Sequence, residues 1–255
     1  MRGTWVICRK ELQSYFTSPI AWAVMALYAV IFGYFFYAAT AYFVQAGMES
    51  QMMGRSFPMN INEMIIRPVL MNISVIGLFL IPMITMRVFA EEKRTGTIEL
   101  LVTSPVSDAA IIVGKWLAAV LLYASVIAVA SLTVSFLFVW GKPDWKPLVI
   151  GYLGLLLQGG ALIAIGTFQS TTTKNQIIAG VAGFVISLLL WVIEWVSQFS
   201  NTVGGKVISY LSVVTHLEPF TKGVLDSRDV IFFATLTFLG LFLAARSLES
   251  LRWRS

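Results

Sequence analysis

Charge is scarce in this sequence. Only 12% of its 255 residues are Asp, Glu, Lys or Arg, about half of the roughly 25% typical of a soluble domain. No single soluble core accounts for that deficit, whereas lipid as the solvent does: 58% of the chain is hydrophobic and its mean hydropathy is +0.81. Cysteine is scarce too, and with Cys8 alone an internal disulfide is excluded. A single histidine, His216, rules out the paired-histidine zinc helix HExxH. Within "VVTHLEPF" it reads as an interfacial or packing residue rather than a catalytic one. No GxSxG nucleophile elbow occurs, and no GxxxxGK followed by Ser or Thr; "GGKV" at 204–207 lacks both the first glycine and the hydroxyl. The chain is therefore not expected to be an enzyme, to bind ATP, or to hold a metal or cofactor of its own. The net charge of +5 is scattered among loops, which suits membrane topology better than nucleic-acid binding.

What the sequence has instead is long uncharged runs. Six of them, Ile20–Val44, Pro68–Met86, Trp116–Trp140, Leu148–Thr173, Asn175–Ile193 and Val230–Ala245, approach or exceed the roughly 17 to 25 helical residues that cross a bilayer. The first is too long for the apolar core of a cleavable signal peptide. The last is short, but Asp229 and Arg246 at its ends can reach toward headgroups. Lys174, inside "QSTTTKNQ", marks a tight turn between the fourth and fifth spans.

Six spans put both termini on one side. That side carries eleven basic residues (Arg2, Arg9, Lys10, Arg87, Lys93, Arg94, Lys115, Lys174, Arg246, Arg252 and Arg254). The other carries seven (Arg55, Arg67, Lys142, Lys146, Lys206, Lys222 and Arg228). The bias places both termini in the cytoplasm of a multi-pass inner-membrane protein. Trp140, Trp145, Trp191 and Trp195 then lie at the outer interface, where amphipathic rings are favoured. No internal repeat or low-complexity segment is evident, and residues 1–255 form one domain.

The spans hold little buried charge, which disfavours an ion-coupled carrier. Glu194, between Trp191 and Trp195, reads as a snorkelling interfacial carboxylate. Gln158, followed by Gly159 and Gly160, reads as a close-packing point between helices. Met48, Met52, Met53, Met59, Met64 and Met71 crowd residues 48–71. Thioethers can bind soft Cu(I), but they also fill irregular apolar surface, and the second reading is favoured.

Two stretches stand out at the inner surface. In "TWVICRKELQSYF", Trp5, Cys8, Leu12, Tyr15 and Phe16 share one helical face while Arg9, Lys10 and Gln13 point elsewhere. Residues 1–19 are thus expected as an amphipathic interfacial helix, stopped by Ser18-Pro19. Residues 89–108 hold Glu91, Glu92, Lys93, Arg94, Glu99 and Asp108 between two apolar runs. Gly96 offers a backbone break, Thr97 a helix cap, and Ser104-Pro105 a restart. Mixed charge beside an apolar patch suits docking to a protein.

Residues 91–118, "EEKRTGTIELLVTSPVSDAAIIVGKWLA", resemble the signature of ABC-2 type permeases. In that signature E-x-(K/R)-x-G-T-(I/L)-E-x-L is followed by (S/T)-P-(V/I)-S and G-K. Residues 216–249, "HLEPFTKGVLDSRDVIFFATLTFLGLFLAARSLE", resemble in particular the gliding-motility-type and nitrous-oxide-reductase-maturation-type members. The resemblance implies an all-α integral membrane fold of six transmembrane helices, with an N-terminal connecting helix carrying Trp5, Arg9, Lys10, Leu12 and Phe16. It implies a cytoplasmic coupling helix within 89–108, where Glu91, Glu92, Lys93, Arg94, Gly96, Thr97 and Glu99 meet a separate ABC ATPase that binds ATP and Mg. It also implies a second permease copy, identical or related, and leaves room for an extracytoplasmic or membrane accessory protein; no nucleic acid is involved. The expected function is an exporter permease. The alternative is a mechanotransmission scaffold that uses the extracytoplasmic segment 194–229 to act on a partner.

Overall fold

The computed structural model describes residues 2–54, 60–99, 106–198 and 209–252, which are helical almost throughout and include no strand. Helix α1 (Arg2–Thr17) stops where Ser18 bends the chain. Pro19, which has no N–H to leave unsatisfied, opens α2 (Pro19–Met52). A single π turn over Asn62–Ile66 leads into α3 (Arg67–Thr85), and a short α4 (Ala90–Thr95) follows. Helix α5 (Asp108–Ser135) breaks at Phe136 and continues as one turn, α6 (Leu137–Trp140). Then come α7 (Trp145–Thr172), α8 (Gln176–Gln198), α9 (Val213–Thr221) and α10 (Ser227–Arg252).

The six expected spans are present as six helices long and apolar enough to cross a membrane, and the fold is all-α and integral to the membrane. Several helices run past the uncharged windows, and at three of those ends the polar groups are paired within the helix or against it. Helix α2 continues beyond Val44, with the Gln45 amide donating to Glu49 one turn on at 3.0 Å. Helix α10 runs through both Asp229 and Arg246. Asp229 faces His216 at 2.6 Å, and Arg246 pairs with Glu249 at 2.8 Å over the Phe242 ring.

Polar residues at the helix ends satisfy backbone groups that have no partner inside a helix. Ser107 accepts from the Ala110 N–H and starts α5; the expected restart at Ser104-Pro105 lies outside the described residues. Asp144 accepts from the Lys146 N–H at the start of α7. In the tight turn after α7, Asn175 accepts from the Ile177 N–H at 2.9 Å and opens α8.

Burial separates the helices into two sets. In their most apolar windows, α3, α5 and α7 are 61%, 44% and 56% buried, against 17%, 17% and 22% for α2, α8 and α10. Because lipid tails are as apolar as leucine, helices in a bilayer associate by close packing and polar contacts rather than by escape from water. Both kinds occur on α7. A Cβ added to Gly159 would lie 2.1 Å from the Tyr123 ring, so only glycine lets α5 approach there. Next to it, the Gln158 amide and the Ser74 hydroxyl of α3 bond in both directions at 2.8 and 2.9 Å, and Trp116 donates to the Gly160 carbonyl at 2.9 Å. The outward faces of α2, α8 and α10 carry large apolar side chains such as Val30, Tyr37, Ile177 and Phe238.

Candidate functional site

The charge block folds between α3 and α5, at the end of the bundle where α1 and the end of α10 also meet. Helix α3 ends at Thr85, and α4 begins at Ala90 after Phe89, whose side chain cannot cap it. The cap comes from α7 instead. The Ser170 hydroxyl accepts from the Phe89 and Ala90 N–H groups at 2.9 and 3.0 Å and donates to the Met86 carbonyl at 3.3 Å. Those three bonds use the hydroxyl's two lone pairs and its one proton. Lys93 donates to the Thr171 carbonyl, which also accepts from Ser247 of α10 at 3.3 Å. Gly96 ends α4 with φ +76°, a left-handed conformation that a Cβ would disfavour. Below the block, Val88, Phe89, Ile111, Ile112, Ala244 and Leu248 form a small apolar cluster apart from the main core.

The centre of the site is Lys115, on the second turn of α5, with only 2% of its surface exposed. Its ammonium contacts Glu11 of α1 at 3.0 Å, Glu92 of α4 at 2.9 Å and the Val88 carbonyl at 2.9 Å. An ammonium has three donors, and all three are used here. The Phe89 ring adds a cation–π contact at 5.2 Å. One buried cation therefore joins α1, the end of α3, α4 and α5.

Helix α1 lies close against α5. A Cβ added to Gly114 would sit 2.8 Å from the Thr4 carbonyl, so the glycine beside Lys115 permits this approach. Cys8 is buried in the same seam, and burial pushes its thiol above the ordinary range. Tyr15 titrates above its usual range as well, first from burial and then from the carboxylates of Glu11, Glu91 and Glu92, with Arg87 opposing.

The sequence-derived residues divide into two groups. Arg94, Gly96, Thr97 and Glu99 are exposed, while Glu91, Glu92 and Lys93 are half-buried. On α1, Arg9 and Lys10 are exposed and Leu12 and Phe16 half-buried. Trp5, grouped by spacing with Cys8, stands 61% exposed. Lys115, Glu11 and Ser170 fell outside the sequence-derived set. Lys115 carried a signal, as a lone charge entering an otherwise apolar span, whereas Ser170 sits in a polar run at the end of α7 that gives no hint of its partners.

At the opposite end, Arg67 and Lys222 both contact Glu218, at 2.5 and 2.9 Å. His216 stacks on Phe232 with ring centroids 3.9 Å apart; Nδ1 faces Asp229 at 2.6 Å and Nε2 faces the Tyr210 carbonyl at 2.9 Å. Both partners are acceptors, so filling both contacts takes a proton on each ring nitrogen or one on the carboxylate. The arrangement pins α9 to the start of α10. Among the methionines, Met48, Met52 and Met53 are exposed around the end of α2, Met71 packs against the core, and Met59 lies outside the described residues. Among the described residues, no three His, Cys, Asp or Glu side chains gather as a metal site.

A family model described as ABC-2 family transporter protein matches residues 5–244. A comparison with curated proteins gave no significant match. With that match across six membrane-spanning helices, the chain belongs to the ABC-2 family of transporter proteins, as a multi-pass membrane permease subunit of an ABC transporter whose ATPase is a separate partner.

Proposed function

We propose that this permease is the membrane half of an ATP-driven exporter in the inner (cytoplasmic) membrane, with both termini and α4 in the cytoplasm. The excess of basic residues on the side of the termini supports that orientation. Glu91, Glu92, Lys93, Arg94, Gly96, Thr97 and Glu99 form its coupling element, which docks to the ATPase. ATP and Mg are bound by that partner, and this chain carries no cofactor. The observation behind the reading is the buried Lys115 junction. Together with the Ser170 cap, it ties the charge block by short polar contacts to α1, α3, α5 and α7. Force applied to the block would move those helices with it rather than flex a loop. Arg94, Thr97 and Glu99 on the exposed side meet the ATPase, and Glu92 and Lys93 on the inner side pass the motion on.

A second copy, identical or related, completes the pathway; the thinly buried faces of α2, α8 and α10 support such a partner. The likeness of residues 216–249 supports a place among the gliding-motility-type and nitrous-oxide-reductase-maturation-type permeases. The test is capture of the tagged chain from its native membranes, read by mass spectrometry. The wild type should bring down a Walker-A ATPase. Arg94→Glu should weaken capture without lowering thermal stability, and changing Glu91, Glu92, Lys93 and Arg94 together to Ala should abolish it. Absence of an ATPase, or equal capture by all three proteins, would overturn the coupling role.

A further inference from the structure

Arg87, two residues after the end of α3, takes no part in the Lys115 junction. Its guanidinium forms no ion pair with a described residue, and its Nε is buried without a hydrogen-bond partner. It lines a partly open cavity of about 430 Å³ between α1, α2, α3, α4 and α5. The cavity has two chemically distinct ends. Ser14, Tyr15, Arg87 and Glu91 line the end nearer α4, and Val24, Met25, Met83, Leu122 and Val126 line the other. A second cavity of about 540 Å³ meets the first at Glu11, Ser14, Arg87 and Glu91 and runs beneath the charge block.

The charges at the polar end limit what can bind. Glu11 is already held by Lys115. Glu91 lies one turn from Arg87, yet no ion pair joins the two, and its carboxylate pairs with no other described cation. The cavity therefore offers one unmatched cation and one unmatched anion beside a hydrocarbon-lined bay. A purely anionic amphiphile would satisfy Arg87 but face the Glu91 charge. A quaternary ammonium would bring positive charge but no N–H for the carboxylate. A phosphate followed by a primary ammonium meets both requirements, through charge-assisted hydrogen bonds at each end.

We propose that this cavity is a binding site for a zwitterionic aminophospholipid of the adjacent leaflet. Its phosphate sits on Arg87, its ammonium on Glu91, and the first part of its acyl chains lies along Met25, Met83 and Leu122, the remainder leaving through the cavity's open side. The lipid is resident rather than in transit, because Tyr28, Phe32, Leu78 and Ile81 pack in the buried core beyond the bay and close it toward the far side. Held between α1 and the charge block, it supports the seam that the Lys115 junction anchors.

The full-length protein, purified in mild detergent, stripped of lipid and then offered equimolar phosphatidylethanolamine, phosphatidylglycerol and phosphatidylcholine, tests this by native mass spectrometry. One phosphatidylethanolamine per chain should be retained, preferred roughly tenfold over either competitor, as a single charge-assisted contact allows. Arg87→Gln should lose retention of every lipid, and Glu91→Gln should erase the preference over phosphatidylglycerol. Met83→Trp, which fills the apolar bay and leaves both charges in place, should also expel the lipid. Retention of no lipid by the wild type, a preference for phosphatidylglycerol or phosphatidylcholine, or wild-type retention by Arg87→Gln would each overturn the proposal. Should Arg87→Gln fail to elute as a folded protein, the wild-type ranking and Met83→Trp still decide.

Discussion

Replacing Lys115 with methionine keeps most of the side chain's volume and removes its charge and three donors. Glu11 and Glu92 would then lie close together without a cation, and the Val88 carbonyl would lose its donor. Removing one partner from a buried ion pair costs about 3–5 kcal/mol, chiefly because the remaining charge stays desolvated. Both carboxylate side chains keep 17% exposure, against 3% for the lysine, so hydration offsets part of that loss. The expected cost is therefore at the lower end, about 3 kcal/mol. For a chain of this size each kcal/mol moves the unfolding midpoint by about 2–4 °C, so the drop should be roughly 6–12 °C. Detergent-solubilised protein heated for a fixed time and assayed by size-exclusion chromatography reports that midpoint; the fixed time matters because unfolding of such proteins is rarely reversible. Adding Glu11→Gln and Glu92→Gln to the variant should recover most of the loss, since removing a buried network whole is far milder than removing one member. A single variant within 2 °C of wild type, or a triple variant no better than the single, would refute the assignment of Lys115 as the ionic centre.

Ser170→Ala leaves the Phe89 and Ala90 N–H groups without their cap and should cost about 1 kcal/mol, a midpoint shift of about 2–4 °C in the same assay. Gly96→Ala should cost about 1–2 kcal/mol because φ at this position is +76°; Gly96→Asn, better suited to that conformation, should cost less in a side-by-side melt. Cys8 should resist maleimide in native membranes at neutral pH and react once the chain is unfolded in SDS. Burial raises its pKa and so lowers the thiolate fraction; labelling of the folded protein should therefore rise with pH but trail that of an exposed thiol throughout.

The number and placement of the spans were legible because the bilayer requires long uncharged runs and the sequence provides six. Their ends were less legible, since a charge next to an apolar run looks like a boundary until its partner is known. Asp229 is the clearest instance. It sits inside α10 because His216, thirteen residues earlier, is folded back against it. The break at Gly96 could be read from residue type. The division of the charge block into an exposed and an inward-facing side could not. That division depends on Lys115 and Ser170, which lie far along the chain, and no local pattern pairs Glu92 with a lysine on the next span. Spacing groups Trp5 with Cys8, yet Trp5 stands exposed and the seam follows Thr4, Ile7, Cys8 and Glu11, because the helix is rotated to bring Glu11 onto Lys115.

The polar contacts of the protein lie mostly at the two ends of the bundle, and the ends are built differently. At the end bearing the termini, Lys115 and Ser170 join elements that belong to different spans, so α1, α3, α5 and α7 share one set of restraints. At the other end, His216 with Asp229 and Glu218 with Arg67 and Lys222 fasten the short helix α9 to α10 and to the start of α3. Between them, the Ser74–Gln158 pair bonds α3 to α7 in the middle of the bundle, at about 0.6 kcal/mol for such a contact in a bilayer. Helices α2, α8 and α10 are the least buried, and apart from the ends of α10 they are held chiefly by apolar packing. Under the proposed coupling role, motion of the charge block carries α1, α3, α5 and α7 as one body. The adjustment then falls on α2 and α8, the two least buried of the six spans. Cross-linking either of them to α3 should therefore block transport, while cross-linking α3 to α7 should leave it running. The reverse result would mean that the four-helix set is not the moving unit.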